Sequence, residues 1–278
     1  MRGLWFIIQP MHENGGHYPL ERRDGEIERL DRQGSAMAPD CAIMLERIGV
    51  TAGWRCLDLG CGPRGITDLL SARVGPNGRV IGLDADPVFI DHARRSAAAN
   101  TEFVQGDAYG AALPAASFDL VHLRFVASTA GEPQKLLREA VRLAKPGGLV
   151  ALQEPDMATL NCYPPHPAWD KLHAALIGAF AAVGSNISLG RELFALARNA
   201  GLADVQYRPF LIGVRSTGPI VDYLPSTVES LRATVLGHGL MSASALDAAL
   251  AAARVHLADP GTVFTMYTVV QVWGRTPR

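Results

Sequence analysis

The nine residues Leu57-Asp58-Leu59-Gly60-Cys61-Gly62-Pro63-Arg64-Gly65 constrain the fold of this chain more than any other segment. An apolar strand runs into a glycine-rich turn and then a helical stretch, with an acid inside the strand end. Glycines remove side chains where backbone passes close to a ligand, and the following helix points unsatisfied N–H groups at that ligand. The pattern nominates a nucleotide-type cofactor site. Beyond it, strand-like segments at 79–83, 102–105, 118–123 and 149–153 alternate with helical segments at 88–98 and 134–143, which predicts a parallel sheet with covering helices.

The flanks read differently. Residues 21–33 are rich in charge, with Ile27 and Leu30 three apart, and predict a short helix lying over the fold as a lid. A second helix over 38–48 carries Ile43, Met44, Leu45 and Ile48 and stops at Gly49. After Glu154, four prolines (Pro155, Pro164, Pro165 and Pro167) precede helical stretches at 168–183 and 189–200, which read as a cap or insertion. Apolar strands at 203–214 and 262–274 flank a further helical region between Pro219 and Leu257. The expected division is an N-terminal extension and lid at 1–36, a cofactor-binding core at 37–160, and cap segments with the last two strands at 161–278.

Composition narrows the function. With 48% hydrophobic and 19% charged residues the chain is no disordered segment, and a net charge of −1 carries no general attraction for nucleic acid or anionic membrane. A small, largely apolar substrate suits that balance. Cys41, Cys56, Cys61 and Cys162 show neither paired nor metal-ligand spacing, so they read as reduced thiols of a cytoplasmic protein without a metal. The apolar run Leu4-Trp5-Phe6-Ile7-Ile8 is too short to span a bilayer or form a signal-peptide core, and Met11 is a second candidate start.

Taken literally, Gly60-x-Gly62-x-x-Gly65 meets the dinucleotide fingerprint, with Asp84 at the end of the next strand as the ribose acid. That supports a nicotinamide-dependent oxidoreductase. Asp58 opposes it, because a carboxylate there would face a pyrophosphate, whereas a ligand amino group would welcome it. Gly106-Asp107-Ala108 follows the third strand, where a carboxylate can accept from an exocyclic adenine amine, and Lys145-Pro146-Gly147-Gly148 makes a sharp turn into the fifth.

Together these motifs, over residues 50–156, resemble the class I S-adenosylmethionine-dependent methyltransferases, particularly the small-molecule type that includes ubiquinone and menaquinone biosynthesis enzymes. The resemblance implies a Rossmann-like, mostly parallel seven-stranded α/β sheet with helices on both faces, whose last strand, 262–274, runs antiparallel. It places the loop of Asp58, Gly60, Cys61 and Gly62 beside the methionine part of the cofactor, Asp84 and Ala85 at the ribose, and Gly106, Asp107 and Ala108 at the adenine. It implies S-adenosylhomocysteine as product, a small-molecule methyl acceptor, and a lid element in Tyr18-Pro19-Leu20 with the helix behind it. One departure stands out: Arg64 occupies the third glycine place, where its side chain either crowds the cofactor, leaving a weak binder or a non-catalytic binding protein, or turns outward and contacts the cofactor's carboxylate, leaving the protein active.

His122 and Arg124 alternate with apolar neighbours at the ligand-facing end of the fourth strand. Arg124 is expected on the cofactor or a substrate acid. His122 is the first candidate for a base, with a satisfied core histidine as the bland reading. Tyr18 and Gln33 are lid candidates; Glu154, Tyr163 and His173 are candidates for substrate contact, with loop solvation and helix packing as the alternatives for Glu154 and His173. Tyr223 and His166 are further polar aromatics of the cap. A nucleic-acid substrate is not expected, since Leu123-Arg124-Phe125-Val126 stands where amino-methylating nucleic-acid enzymes carry Asn/Asp-Pro-Pro-Tyr/Phe. The oligomeric state, a homodimer included, stays open.

Overall fold

In the computed structural model, residues 26–129, 131–218 and 220–278 are described, so Tyr18 and the start of the expected lid lie outside the described residues. Helix α1 (Glu26–Ile48) leads into β1 (Arg55–Leu59), α2 (Thr67–Val74), β2 (Arg79–Asp84), α3 (Pro87–Arg94), β3 (Thr101–Gln105), β4 (Phe118–Arg124), α4 (Pro133–Leu143) and β5 (Ala144–Asp156). Next come β6 (Asn161–Tyr163), α5 (Pro167–Ala181), α6 (Leu193–Asn199), β7 (Ala203–Phe210), β8 (Gly213–Arg215), α7 (Tyr223–Ser230), α8 (Arg232–Gly237), α9 (Ala243–Ala258), β9 (Val263–Thr265) and β10 (Thr268–Arg275).

The main sheet has seven strands in the order β3-β2-β1-β4-β5-β10-β7. Strands β1 to β5 are parallel, and β10 pairs antiparallel with both β5 and β7. Strict alternation sorts side chains to the two faces. Leu57, Leu59, Val121, Leu123, Val150 and Leu152 pack with α4 and α6 on one side. Cys56, Leu120, Leu149 and Ala151 pack with α1, α2 and the cap helices on the other. The order reverses between β1 and β4, so a crevice opens outside their carboxyl ends.

Two expectations are corrected. The two N-terminal helices are one, since α1 runs through Gly34 and Pro39. Pro39 removes a backbone donor, but Met37, Cys41, Met44, Leu45 and Ile48 recur at helical spacing and all bury against the core, which outweighs that local penalty. The apolar runs 203–214 and 262–274 are each split. Their outer pieces form β8 and β9, which pair with β6 in a separate three-stranded sheet. Between β9 and β10 the chain bends at Met266 and Tyr267, both buried, and Met266 N–H donates to Ile212 C=O at 2.8 Å.

Candidate functional site

A cavity of about 750 Å³ lies at the carboxyl ends of β1, β2 and β4. Its floor is the turn after β1. Gly60 N–H and Cys61 N–H both donate to Leu83 C=O, at 2.7 and 2.9 Å, which ties the turn to β2. Asp58 Oδ2 accepts from Ile66 N–H at 2.8 Å, and Asp84 Oδ2 accepts from Gly62 N–H at 2.7 Å. A buried carboxylate, Asp58, and a half-buried one, Asp84, thus hold the turn by its amides.

Gly65 is a glycine the turn cannot replace. At φ +57° its missing Cβ would stand 2.0 Å from Asp58 Oδ2 and 2.9 Å from Cys61 C=O. Gly62, at φ +56°, would meet nothing within 4 Å, so open cavity lies above it. Arg64 pairs with Asp68 at 2.7 Å, and both residues line the cavity.

Asp84 also accepts from Asp86 N–H at 2.9 Å. Burial raises its pKa, while these amide bonds oppose the shift and Asp86 and Asp58 add to it. Burial likewise holds the Cys61 thiol well above its ordinary value, reinforced by Asp58 and Asp84, so it stays protonated and unreactive. Asp107 Oδ1 caps Tyr109 N–H at 2.8 Å, and with Ala85 and Ala108 it lines the same side of the cavity. Gly106 lies behind, where an added Cβ would press on Leu83 at 3.2 Å.

The opposite wall is aromatic and cationic. Arg29 and Gln33 on α1, Arg124 and Phe125 at the end of β4, Tyr223 on α7 and Tyr267 at the bend before β10 all line it. Gln33 Nε2 donates to Tyr267 Oη at 2.9 Å, and Arg124 donates to Gly65 C=O at 3.3 Å. Phe125, at φ +58°, adopts a left-handed conformation that costs a non-glycine residue about 1–2 kcal/mol. The result sets its ring edge-on to Tyr267 with centroids 6.2 Å apart.

His122 is placed elsewhere. It is fully buried, outside the cavity lining, with Nδ1 at 2.7 Å from Asp58 Oδ1 and Nε2 at 2.8 Å from Gln153 Nε2. Since Gln153 Nε2 can only donate, the arrangement assigns the proton to Nδ1, where it binds Asp58. Both nitrogens are committed, so the expected base has no path to a substrate proton and His122 takes the core reading. Glu154 is also fully buried and off the cavity, its two oxygens accepting from Ala127 N–H at 2.8 Å and Ser128 N–H at 3.1 Å. Burial raises its pKa to about 7.

Tyr163 is exposed on β6 in the small sheet, and His173 Nε2 binds Met157 C=O at 2.8 Å; neither reaches the cavity. Each was expected from its place in the cap; Tyr163 stands in the small sheet, and His173 is held on α5 by the Met157 carbonyl. Tyr267, Phe125 and Arg29 were missed, since nothing local distinguishes them. Among the described residues no group of three or more His, Cys, Asp or Glu is placed to hold a metal ion.

A methyltransferase domain family matches residues 57–152. The chain is 36% identical over 126 residues to a demethylmenaquinone methyltransferase of Lactococcus lactis, an alignment covering 44% of this chain and 50% of that protein. The chain therefore spans half the length of that relative. It is 33% identical over 149 residues to a probable cobalt-precorrin-6B C(15)-methyltransferase of Thermoplasma volcanium, covering 52% of this chain and 72% of that one. The fold matches a Haemonchus contortus phosphoethanolamine N-methyltransferase 2, solved with S-adenosylhomocysteine, with TM-score 0.53 at 18% identity over 86% of this chain and 53% of that one.

Proposed function

The chain belongs to the class I S-adenosylmethionine-dependent methyltransferase family, and on that basis we propose that it methylates an oxygen, nitrogen or carbon nucleophile of a small organic molecule. The observation that carries the reading is the single cavity shared by an acidic, glycine-floored side and an aromatic, cationic side. One side suits the cofactor and the other the acceptor.

The residues present fit the cofactor. The open space over Gly62 accommodates a ligand that an alanine would crowd, and Asp84 keeps acceptor capacity for ribose hydroxyls after binding two amides, because each carboxylate oxygen has two lone pairs. Asp107 and Ala108 take the adenine, and the carboxylates of Asp58 and Asp84 give the floor a negative potential that suits a cationic ligand. When bound, S-adenosylmethionine supplies an activated methyl group and leaves as S-adenosylhomocysteine. The chain's own contribution is alignment of the acceptor and exclusion of water. His122 acts through Asp58 as a positioning residue. Four free, buried cysteines support a reducing, cytoplasmic setting.

Calorimetric titration with S-adenosylhomocysteine and with NAD tests the reading. Saturable binding of the first alone is expected; binding of NAD alone would overturn it.

A further inference from the structure

Arg64 departs from the glycine pattern of the turn, and its surroundings give it a choice of partners. Its backbone is fixed, because Arg64 C=O accepts from Thr67 N–H at 3.2 Å and from Thr67 Oγ1 at 2.7 Å at the start of α2. Its side chain is held less firmly. The guanidinium pairs with Asp68 at 2.7 Å, and the two side chains are 38% and 60% exposed. Water and salt screen an ion pair this exposed, so breaking it costs little. Both residues nevertheless line the cavity.

The strand order decides which part of a bound cofactor reaches Arg64. Asp107 follows β3, Asp84 ends β2 and the turn of Gly60 to Gly65 follows β1, and these strands are neighbours in the order β3-β2-β1. With the adenine at Asp107 and the ribose at Asp84, the next step across the sheet brings the amino-acid end over the glycine turn. Space lies there: a Cβ on Gly62 would meet nothing within 4 Å, and the cavity continues past Gly62 to Arg64, Asp68 and Leu69. That end carries an ammonium group and a carboxylate. The buried Asp58 suits the ammonium, whereas a carboxylate over the same floor meets like charge unless a cation accompanies it. Arg64 is the cation that the turn itself carries.

We propose that Arg64 exchanges partners when the cofactor binds, giving up Asp68 and taking the cofactor's carboxylate. Asp68 is then a resident competitor that engages the guanidinium until the carboxylate arrives. A guanidinium fork on a carboxylate inside the cavity is screened less than the exposed pair, which gives the exchange its direction. The proposal rests on the methyl-transfer reading and deepens it, since it makes Arg64 a determinant of which adenosyl ligands the site selects.

The test titrates the full chain calorimetrically with S-adenosylhomocysteine and with decarboxylated S-adenosylhomocysteine, which keeps the adenosine, the sulfur and the amine. The unmodified protein is expected to bind the carboxylate-bearing ligand about tenfold tighter, equivalent to about 1.4 kcal/mol. Arg64→Gln should shrink that preference to within about twofold while the decarboxylated ligand stays within about threefold of its original affinity, and Arg64→Lys should keep part of the preference. Asp68→Asn should tighten S-adenosylhomocysteine about threefold with no gain for the decarboxylated ligand, and the gain should vanish in Arg64→Gln/Asp68→Asn, since a general effect of charge would persist without Arg64. An equal loss of both ligands in Arg64→Gln would make Arg64 a structural residue of the turn and overturn the proposal. So would a preference that survives Arg64→Gln, or an Asp68→Asn gain that persists without Arg64. Binding of neither ligand by the unmodified protein is a different result, which overturns the methyl-transfer reading and the proposal with it.

Discussion

Gly65 shows how much of the site hangs on one missing methyl group. A Cβ there would collide with the Asp58 carboxylate at 2.0 Å, and the residue also sits at φ +57°. Gly65→Ala should cost about 2–4 kcal/mol and at least a tenfold loss of S-adenosylhomocysteine affinity, read by thermal melting and calorimetry. His122 makes the contrasting case. His122→Ala leaves Asp58 Oδ1 and Gln153 Nε2 without their buried partner, which should cost roughly 2–4 kcal/mol. The pH profile of its residual turnover should keep the shape of the unmodified enzyme's; a lost basic limb would restore the histidine as a base. Asp58, Asp84 and Asp107 could be picked out in the sequence because each lies at or just past a strand end, within two residues of a glycine. His122 was picked by the same logic, but whether it faces cavity or core depends on partners in other strands.

At the scale of elements, the end of β5 and the segment after β4 are joined by Glu154, which accepts the amides of Ala127 and Ser128. Burial lifts its pKa from an ordinary 4.5 to about 7. The folded state therefore holds an extra proton between those values, so this contribution is complete below about pH 4.5 and is lost as pH rises through 7. Its size is on the order of 3 kcal/mol at 1.36 kcal/mol per unit. Urea unfolding should show lower stability at pH 8 than at pH 5 from this group, and Glu154→Gln should flatten that slope; an unchanged slope in the variant would refute the assignment. Helix α1 makes the element-scale point about sequence reading. Gly34 and Pro39 are local stop signals, and the chain overrides them because the apolar face from Met37 to Ile48 buries only if the helix continues.

Across the whole molecule, a polar ladder runs through the sheet interior. Asp58 on β1 binds His122 on β4, which meets Gln153 on β5; Gln153 Oε1 accepts from Gln271 on β10 at 2.8 Å, and Gln271 Oε1 accepts from Arg208 on β7 at 2.7 Å. Arg208 then pairs with Asp40 of α1, while Gln271 Nε2 donates to Asp40 C=O at 3.1 Å. The glycine floor and the helix that carries Arg29 and Gln33 are thereby joined through five strands. Such a chain is favourable only when every member is satisfied. Gln153→Leu and Gln271→Leu should each destabilise by about 1–3 kcal/mol, and the double variant should fall short of their sum by at least about 0.5 kcal/mol. Strict additivity in urea unfolding would mean the ladder is a row of independent pairs.

The order of strands and helices in the core, the glycine floor and its acids follow from the sequence alone, because they depend on alternation, turn chemistry and spacing within a few residues of one another. The ladder, the aromatic and cationic wall and the interior place of His122 were decided by tertiary structure. Gln153 pairs with Gln271, and Gln33 with Tyr267, across 118 and 234 residues. Only the sheet order, with β10 inserted between β5 and β7, brings such distant side chains into contact, and no local pattern encodes it.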